Sequence, residues 1–322
     1  MRITRLLGAL LLACLGAGAA SGQTFPSQPV RMVIPFPPGG PVDTFGRILA
    51  RGLSDQLRQP VVLDHRAGAG GVIGMDAVAK AAPDGLTIGI GGPGALAVAP
   101  SLMARMPYDP LRDFTLIAQA VGVPELLVVS PGVPARDVAS LVALARRQPG
   151  TINFASAGSG TFPHLAGELF KMRAGIDIQH VPYRGAAPAM ADLMTGRVQM
   201  MFADAPVVLQ QIRAGSLVAL AVASRARFAG LPDLPTLAEA GLPGVEADSW
   251  YAMVAPAGLP ADRLAILHRA LLATLADAET QRLLAEQGGH GIGDTSDAFA
   301  THLRAEIAKW GEVVRTAGVR ME

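Results

Sequence analysis

Pro35-Phe36-Pro37-Pro38-Gly39-Gly40-Pro41-Val42-Asp43 is the stretch whose reading decides the fold. Just before it, Val30-Arg31-Met32-Val33-Ile34 is a β-branched, mostly apolar run that predicts a buried strand. Just after it, Val42, Phe45, Ile48, Leu49, Leu53 and Leu57 recur at helical spacing. The junction therefore reads as strand, tight loop, helix. Gly39 and Gly40 allow backbone angles closed to other residues, and Pro41 suits a first helical turn that has no use for its missing N–H. Such a loop leaves unpaired N–H groups at the positive end of a helix, a place to hold an anion. The same residues equally fit an ordinary connection in which Asp43 caps its own helix.

Outward from this junction, short β-rich runs alternate with amphipathic helical ones. Strands are predicted at 30–36, 61–64, 86–90, 114–121, 126–130, 151–155, 178–181, 198–203, 217–223 and 250–255. Helices are predicted at 42–57, 71–81, 136–147, 162–173, 186–195, 206–214, 261–275, 278–287 and 296–316. That order predicts an α/β protein with parallel sheets covered by helices on both faces, and ligands beyond the carboxyl ends of the strands. Similar junctions recur at Asp64 to Gly71, at Gly91-Gly92-Pro93-Gly94, at Ser156-Ala157-Gly158-Ser159-Gly160-Thr161 and at Pro182-Tyr183-Arg184-Gly185. Two sets of such loops on successive sheets suggest two facing lobes with a cleft between. With no Ser/Gly-rich linker in the middle, the crossings must be short and built into strands, with 114–126 and 245–255 as candidates.

The 322 residues suffice for two domains with cores of their own. Arg2 and Arg5, then an apolar run from Leu6 to Leu15, then a small-residue tract from Gly16 to Gly22, follow the order of a secretory signal peptide over residues 1–22. Cleavage after Ala19 or after Gly22 fits equally well. Leu11-Leu12-Ala13-Cys14 also fits a lipoprotein site, with a shorter apolar run. Removing the signal leaves a near-neutral chain that calls for neither nucleic acid nor an anionic membrane. Cys14, the single cysteine, leaves with it, which excludes thiol nucleophiles and thiolate metal sites and leaves the core alone to hold the mature chain. Nothing after the N-terminus is apolar for long enough to span a bilayer, so a soluble, exported protein is expected.

Motifs for chemistry are few. Gly89-Ile90-Gly91-Gly92-Pro93-Gly94 satisfies the dinucleotide spacing. It is not in the first βα unit, Pro93 removes a donor, and Asp109 and Asp113 lie in a Pro-rich turn, so it reads as a glycine-rich turn. There is no P-loop and no nucleophile elbow. The six histidines never pair at i, i+3 or i, i+4, so no metal site is expected, and no cofactor. His164 is a conceivable base for Ser156 or Ser159 with Asp204 as its orienter, but serines and threonines beside glycines are more often caps and donors. Asp204, at a strand's carboxyl end, can face a ligand or cap the helix that Pro206 begins. Tyr183 and Phe36 can wall a pocket or simply pack. Trp250 falls near a proposed crossing and Trp310 in the last helix, where core packing is expected. A pocket of N–H groups and hydroxyls with few charges suits a small carboxylate.

The chain resembles the Bug-type family, the periplasmic substrate-binding subunits of tripartite tricarboxylate transporters, over essentially all of its mature length. The resemblance rests on Pro35 to Asp43, on Arg66-Ala67-Gly68-Ala69-Gly70-Gly71-Val72-Ile73-Gly74 and on Ala82-Pro83-Asp84-Gly85. It rests further on Gly158-Ser159-Gly160-Thr161 with His164 to Phe170, on His180 to Gly185 with Pro188-Ala189, on Leu234 to Gly241 and on Ala255-Pro256-Ala257-Gly258. It implies a type II periplasmic-binding-protein fold of two doubly wound lobes joined by two crossing segments, 23–123 with 247–322 as one lobe and 124–246 as the other. It implies no enzyme, but an exported receptor that traps a carboxylate or amino acid between its lobes and delivers it, as a monomer, to membrane permease subunits. Carried onto this sequence, it nominates Phe36, Pro38, Gly39, Gly40 and Asp43 from one lobe, and Ser156, Gly158, Ser159, Thr161, His164, Tyr183 and Asp204 from the other. Many relatives carry hydroxyl or amide side chains where this chain has Gly91 to Gly94, which leaves Gly92 only backbone N–H to offer. The rivals are the same fold presenting its ligand to a signalling partner and a periplasmic hydrolase.

Overall fold

The computed structural model describes residues 25–319; the signal-peptide and Cys14 readings lie outside the described residues. The strands are β1 (Val30–Ile34), β2 (Val61–His65), β3 (Thr87–Gly91), β4 (Phe114–Val123), β5 (Glu125–Val129), β6 (Asn153–Ser156), β7 (Gln179–Pro182), β8 (Met200–Asp204), β9 (Val218–Val222), β10 (Ser249–Pro256) and β11 (His290–Gly291). The helices are α1 (Pro41–Leu57), α2 (Val72–Ala79), α3 (Ala99–Leu102), α4 (Val138–Arg147), α5 (Phe162–Ala174), α6 (Ala186–Thr195), α7 (Ala205–Arg213), α8 (Ala261–Ala276), α9 (Ala278–Glu286) and α10 (Ser296–Ala317).

Two sheets result, in the strand orders β11-β4-β10-β3-β1-β2 and β7-β6-β8-β5-β9. Each has a parallel part, β2-β1-β3 in the first and β7-β6-β8 in the second. Each also contains an antiparallel strand that follows directly on a crossing. The chain leaves the first sheet at Val123, passes through Pro124 alone and enters the second as β5, antiparallel to β8 and β9. It returns as β10, antiparallel to β3 and β4. The sheets are therefore mixed rather than purely parallel as expected. Burial explains why periodicity could not show this: β5 and β10 are buried along their whole lengths and read as plain apolar runs. The two crossings lie side by side, since Ser249 pairs with Val123 and Trp250 with Gly122 across β10 and β4.

Helical periodicity was the stronger signal. Val42, Phe45, Leu49, Leu53 and Leu57 form the buried stripe of α1, as their spacing predicts. Two elements had no such signal. Gly94–Val98 forms a π-turn that leads into α3, where repeated Gly, Ala and Pro carry no amphipathic period. β11 is two residues long. The long α10 ties the lobes together: Trp310 packs edge-on against Phe162 of α5 at 4.9 Å, within one apolar cluster that reaches from Met75 to Phe202. Trp250 and Trp310 both donate to Glu306 Oε2, at 3.4 and 2.8 Å. Trp310 is core, as expected, and Trp250 stands on the second crossing.

Candidate functional site

The carboxyl ends of the parallel strands are where loops hand over to helices, so backbone donors collect there. α1, α5, α6 and α7 begin at such ends, and none has a side-chain cap. By contrast α4, α9 and α10 are closed by Asp137, Asp277 and Thr295, whose side-chain oxygens accept backbone N–H. α8, which opens on Pro260, is also without a cap. The ends of β3 and β8 meet, because the Tyr251 hydroxyl from β10 donates to Asp204 Oδ2 at 3.3 Å and a Cβ on Gly92 would touch the Tyr251 ring at 3.2 Å. This contact joins the two sheets beside the junction loops that follow β3 and β8.

In the first lobe, Gly39 holds φ at +92°, a conformation open to glycine, and its N–H donates to Asp43 Oδ2 at 2.9 Å. Arg47 Nε donates to the same oxygen at 3.0 Å, and His65 Nε2 meets Oδ1 at 2.7 Å. Asp43 is buried. Burial raises its pKa, but the Gly39 N–H, His65 and Arg47 more than reverse this and hold it at about 2. Asp43 therefore shapes the loop with both oxygens engaged, and the Gly39 N–H is used inside the protein. The N–H groups of Gly40, Val42 and Asp43 have no acceptor among the described residues and stand at the start of a helix of 17 residues. Pro37, Pro38 and Gly39 are exposed, while Phe36 is half-buried, its ring 3.2 Å from where a Cβ on Gly71 would lie.

In the second lobe the serine of the loop is structural. Ser156 is fully buried; its Oγ lies 2.9 Å from Gly158 O and 2.7 Å from His180 Nε2, and it accepts the Gly158 N–H at 3.1 Å. His180 stacks on His164 at 3.6 Å between ring centres, with the planes 8° apart. Burial, then the neighbouring His164, press the His180 pKa down to about 3, so this imidazole is neutral and a weak base. His164 Nδ1 accepts the Gly160 N–H at 3.0 Å, and Thr161 Oγ1 donates to Gly158 O at 2.7 Å. Ser159 is exposed, and its hydroxyl has no partner among the described residues. Tyr183 is half-buried and donates to Asp192 Oδ2 at 2.8 Å.

The triad weighed from the sequence does not assemble. His164 spends Nδ1 on a backbone N–H, Ser156 is closed off and pairs with His180, and Asp204 lies elsewhere. Nor does Asp204 cap α7. It faces Glu125, its register partner across β5 and β8, and Tyr251. Glu125 is fully buried and escaped the sequence reading, although one acid among Val121 to Val129 was a visible signal. His65 and Tyr251 were likewise missed as partners, because neither stands near Asp43 or Asp204 in the chain.

Comparisons with known proteins agree with this fold. A sequence model of the tripartite tricarboxylate transporter family receptor matches residues 45–319. Protein BugT of Bordetella pertussis is 39% identical over 326 residues, covering 100% of both chains. The structure of R. palustris Rpa4515 with adipate is 37% identical and covers 92% of this chain and 99% of that one, with a TM-score of 0.83. MatC from Rhodopseudomonas palustris with bound malate is 31% identical and covers 90% and 100%, with a TM-score of 0.79.

Proposed function

The chain belongs to the tripartite tricarboxylate transporter family receptors, and from that premise we propose that it captures a small organic acid in the cleft and hands it to the membrane permease subunits of such a transporter. It is a solute receptor and not an enzyme. The observation that carries the carboxylate reading is the set of uncapped helix starts at the carboxyl ends of β1, β6 and β7, where free N–H groups and the positive ends of the helix dipoles collect. The Gly40, Val42 and Asp43 amides hold one carboxylate. The exposed Ser159 hydroxyl and the starts of α5 and α6 hold the ligand from the other lobe. Adipate and malate, bound by the two relatives, support a dicarboxylate as the first ligand to test.

Among the nominated residues, Phe36, Pro38 and Gly92 act as wall and backbone. Asp43, Ser156, Gly158, Thr161, His164 and Tyr183 keep the loops in shape. The lobes run over 23–123 with 247–322 and over 124–246, a division supported by the membership of the two sheets. The receptor works in the periplasm as a monomer. A thermal-shift panel of mono-, di- and tricarboxylates and amino acids tests the reading. A true ligand at 100 times its Kd stabilises by roughly 2.7 kcal/mol, and a flat response across the panel rejects a carboxylate receptor.

A further inference from the structure

Glu125 opens the strand that follows the first crossing, and Ser249 to Tyr251 open the strand that follows the second. Between them lies an arrangement that anion capture does not use. Glu125 is fully buried, and neither of its carboxyl oxygens has a partner; Asp204 Oδ1 is buried and unpartnered as well. The backbone around them is fixed. Ala205 N–H donates to Pro124 O at 3.0 Å and Ala223 N–H donates to Glu125 O at 2.8 Å, so the main chain carrying both acids is held in the sheet.

A buried carboxylate without a partner is costly, and two side by side without a cation are more so. The groups that act on the pair are Asp204 on β8 and Glu125 on β5, Tyr251 and Ser249 on β10, and Asp248 just before β10. The nearby cations of the crossing, Lys309 and Arg225, act on Asp248. No group of three or more His, Cys, Asp or Glu gathers into a metal-ligating set among the described residues. A proton satisfies the orphaned oxygens most simply: one carboxyl O–H donates to the other carboxylate, as in acid pairs that cannot both ionise.

We propose that Glu125 and Asp204 share a single proton beside the two crossings, and that this proton-binding site fastens β5 to β8 within the second sheet until rising pH empties it. Release leaves two carboxylates and sends the proton to solvent. Burial and mutual repulsion raise the Glu125 pKa well above the usual range, and burial raises that of Asp204. For groups raised on folding, the stabilising effect is complete below their unfolded pKa values and is lost as pH rises through the folded ones.

The test uses ligand-free protein, so its failure leaves the receptor reading untouched. Thermal unfolding is followed from about pH 5 to about pH 9. In the wild type the midpoint falls toward alkaline pH, and Glu125→Gln, whose amide donates to Asp204 without titrating, loses that fall. Asp248, pushed up to about 6 by burial, titrates in the same window, so each comparison is repeated in an Asp248→Asn background. Infrared spectra of that background near neutral pH show a protonated-carboxyl C=O band that disappears in Glu125→Gln. If Glu125→Gln does not fold, Asp204→Asn replaces it; if neither folds, the band decides. Parallel pH profiles in wild type and variant, or no band, overturn the shared proton.

Discussion

Asp43→Asn separates a loop-shaping role from a ligand-reading one. The carboxylate is buried, and its contacts hold its pKa at about 2 against an ordinary value of 3.8. At about 1.36 kcal/mol per unit, a depression of nearly two units corresponds to roughly 2.5 kcal/mol of preference for the charged form in the folded state. Arg47 is 58% exposed, so its share is screened, and about 2 kcal/mol is the working ceiling. Asparagine still accepts the Gly39 N–H but loses the charge that Arg47 and His65 answer. The variant should therefore melt about 3–6 °C lower than wild type at neutral pH, by the scaling of midpoint with free energy for large domains.

The pH dependence gives this prediction its sign. A depressed folded pKa means that the contribution is fully present above the unfolded value of 3.8 and is lost as pH falls through about 2. The gap between wild type and Asp43→Asn in urea unfolding should thus be constant from neutral pH down to about pH 5 and then narrow. Ligand affinity should fall only as far as the loop loosens, for a mono- and a dicarboxylate alike. A gap that persists unchanged in acid, or a variant as stable as wild type, refutes the network. A loss confined to one ligand with stability intact would return Asp43 to the role of reader.

Three further outcomes follow from particular contacts. Gly40 has φ at −86° and open space around a built Cβ, so Gly40→Val should leave the melting temperature nearly unchanged while weakening carboxylate binding by about tenfold or more, roughly 1.4 kcal/mol; equal affinity by calorimetry removes the start of α1 from the site. A Cβ on Gly74 would lie 2.7 Å from Pro35 Cα and 2.8 Å from Arg66 O, both backbone atoms that cannot turn aside, so Gly74→Ala should cost about 1–3 kcal/mol in urea unfolding, and a cost near zero contradicts the packing of α2 under the β1 loop. The two tryptophans of the chain both donate to Glu306, one from the second crossing and one from α10, so saturating ligand should change intrinsic fluorescence and Trp250→Phe should abolish most of the change. A constant spectrum with binding shown by calorimetry rejects movement there.

How far the chain could be read in advance depended on where each signal lies. α1 was legible because five apolar residues repeat on one face of a helix introduced by Gly-Gly-Pro. The lobes were legible because the glycine junctions come in two sets. Strand direction was not, since β5 and β10 are buried on both faces and period 2 vanishes in such strands. Within the site, the sequence marked the loops but not the division of labour inside them. His65 is distant from Asp43 in sequence and His180 from Ser156, so neither pairing showed in the chain. Contacts of that kind are made by the parallel pairing of β1 with β2 and of β6 with β7, and no local pattern records them.

The same contacts engage several of the charged side chains near the junction loops with partners inside the protein. Arg47 and His65 are committed to Asp43, and Arg197 to Asp192. The partial charge of helix starts and a few hydroxyls remain toward a ligand, and Arg184, exposed in the loop from β7 to α6, has no ion pair among the described residues. A receptor that must release its cargo gains from this, since dipoles hold one carboxylate much as another and let go when the lobes part. Glu125 and Asp204 fully ionised would repel each other where β5 pairs with β8. A proton held between them removes one of the two charges without introducing a base that would trap the ligand, and it does so at the point where both crossings meet.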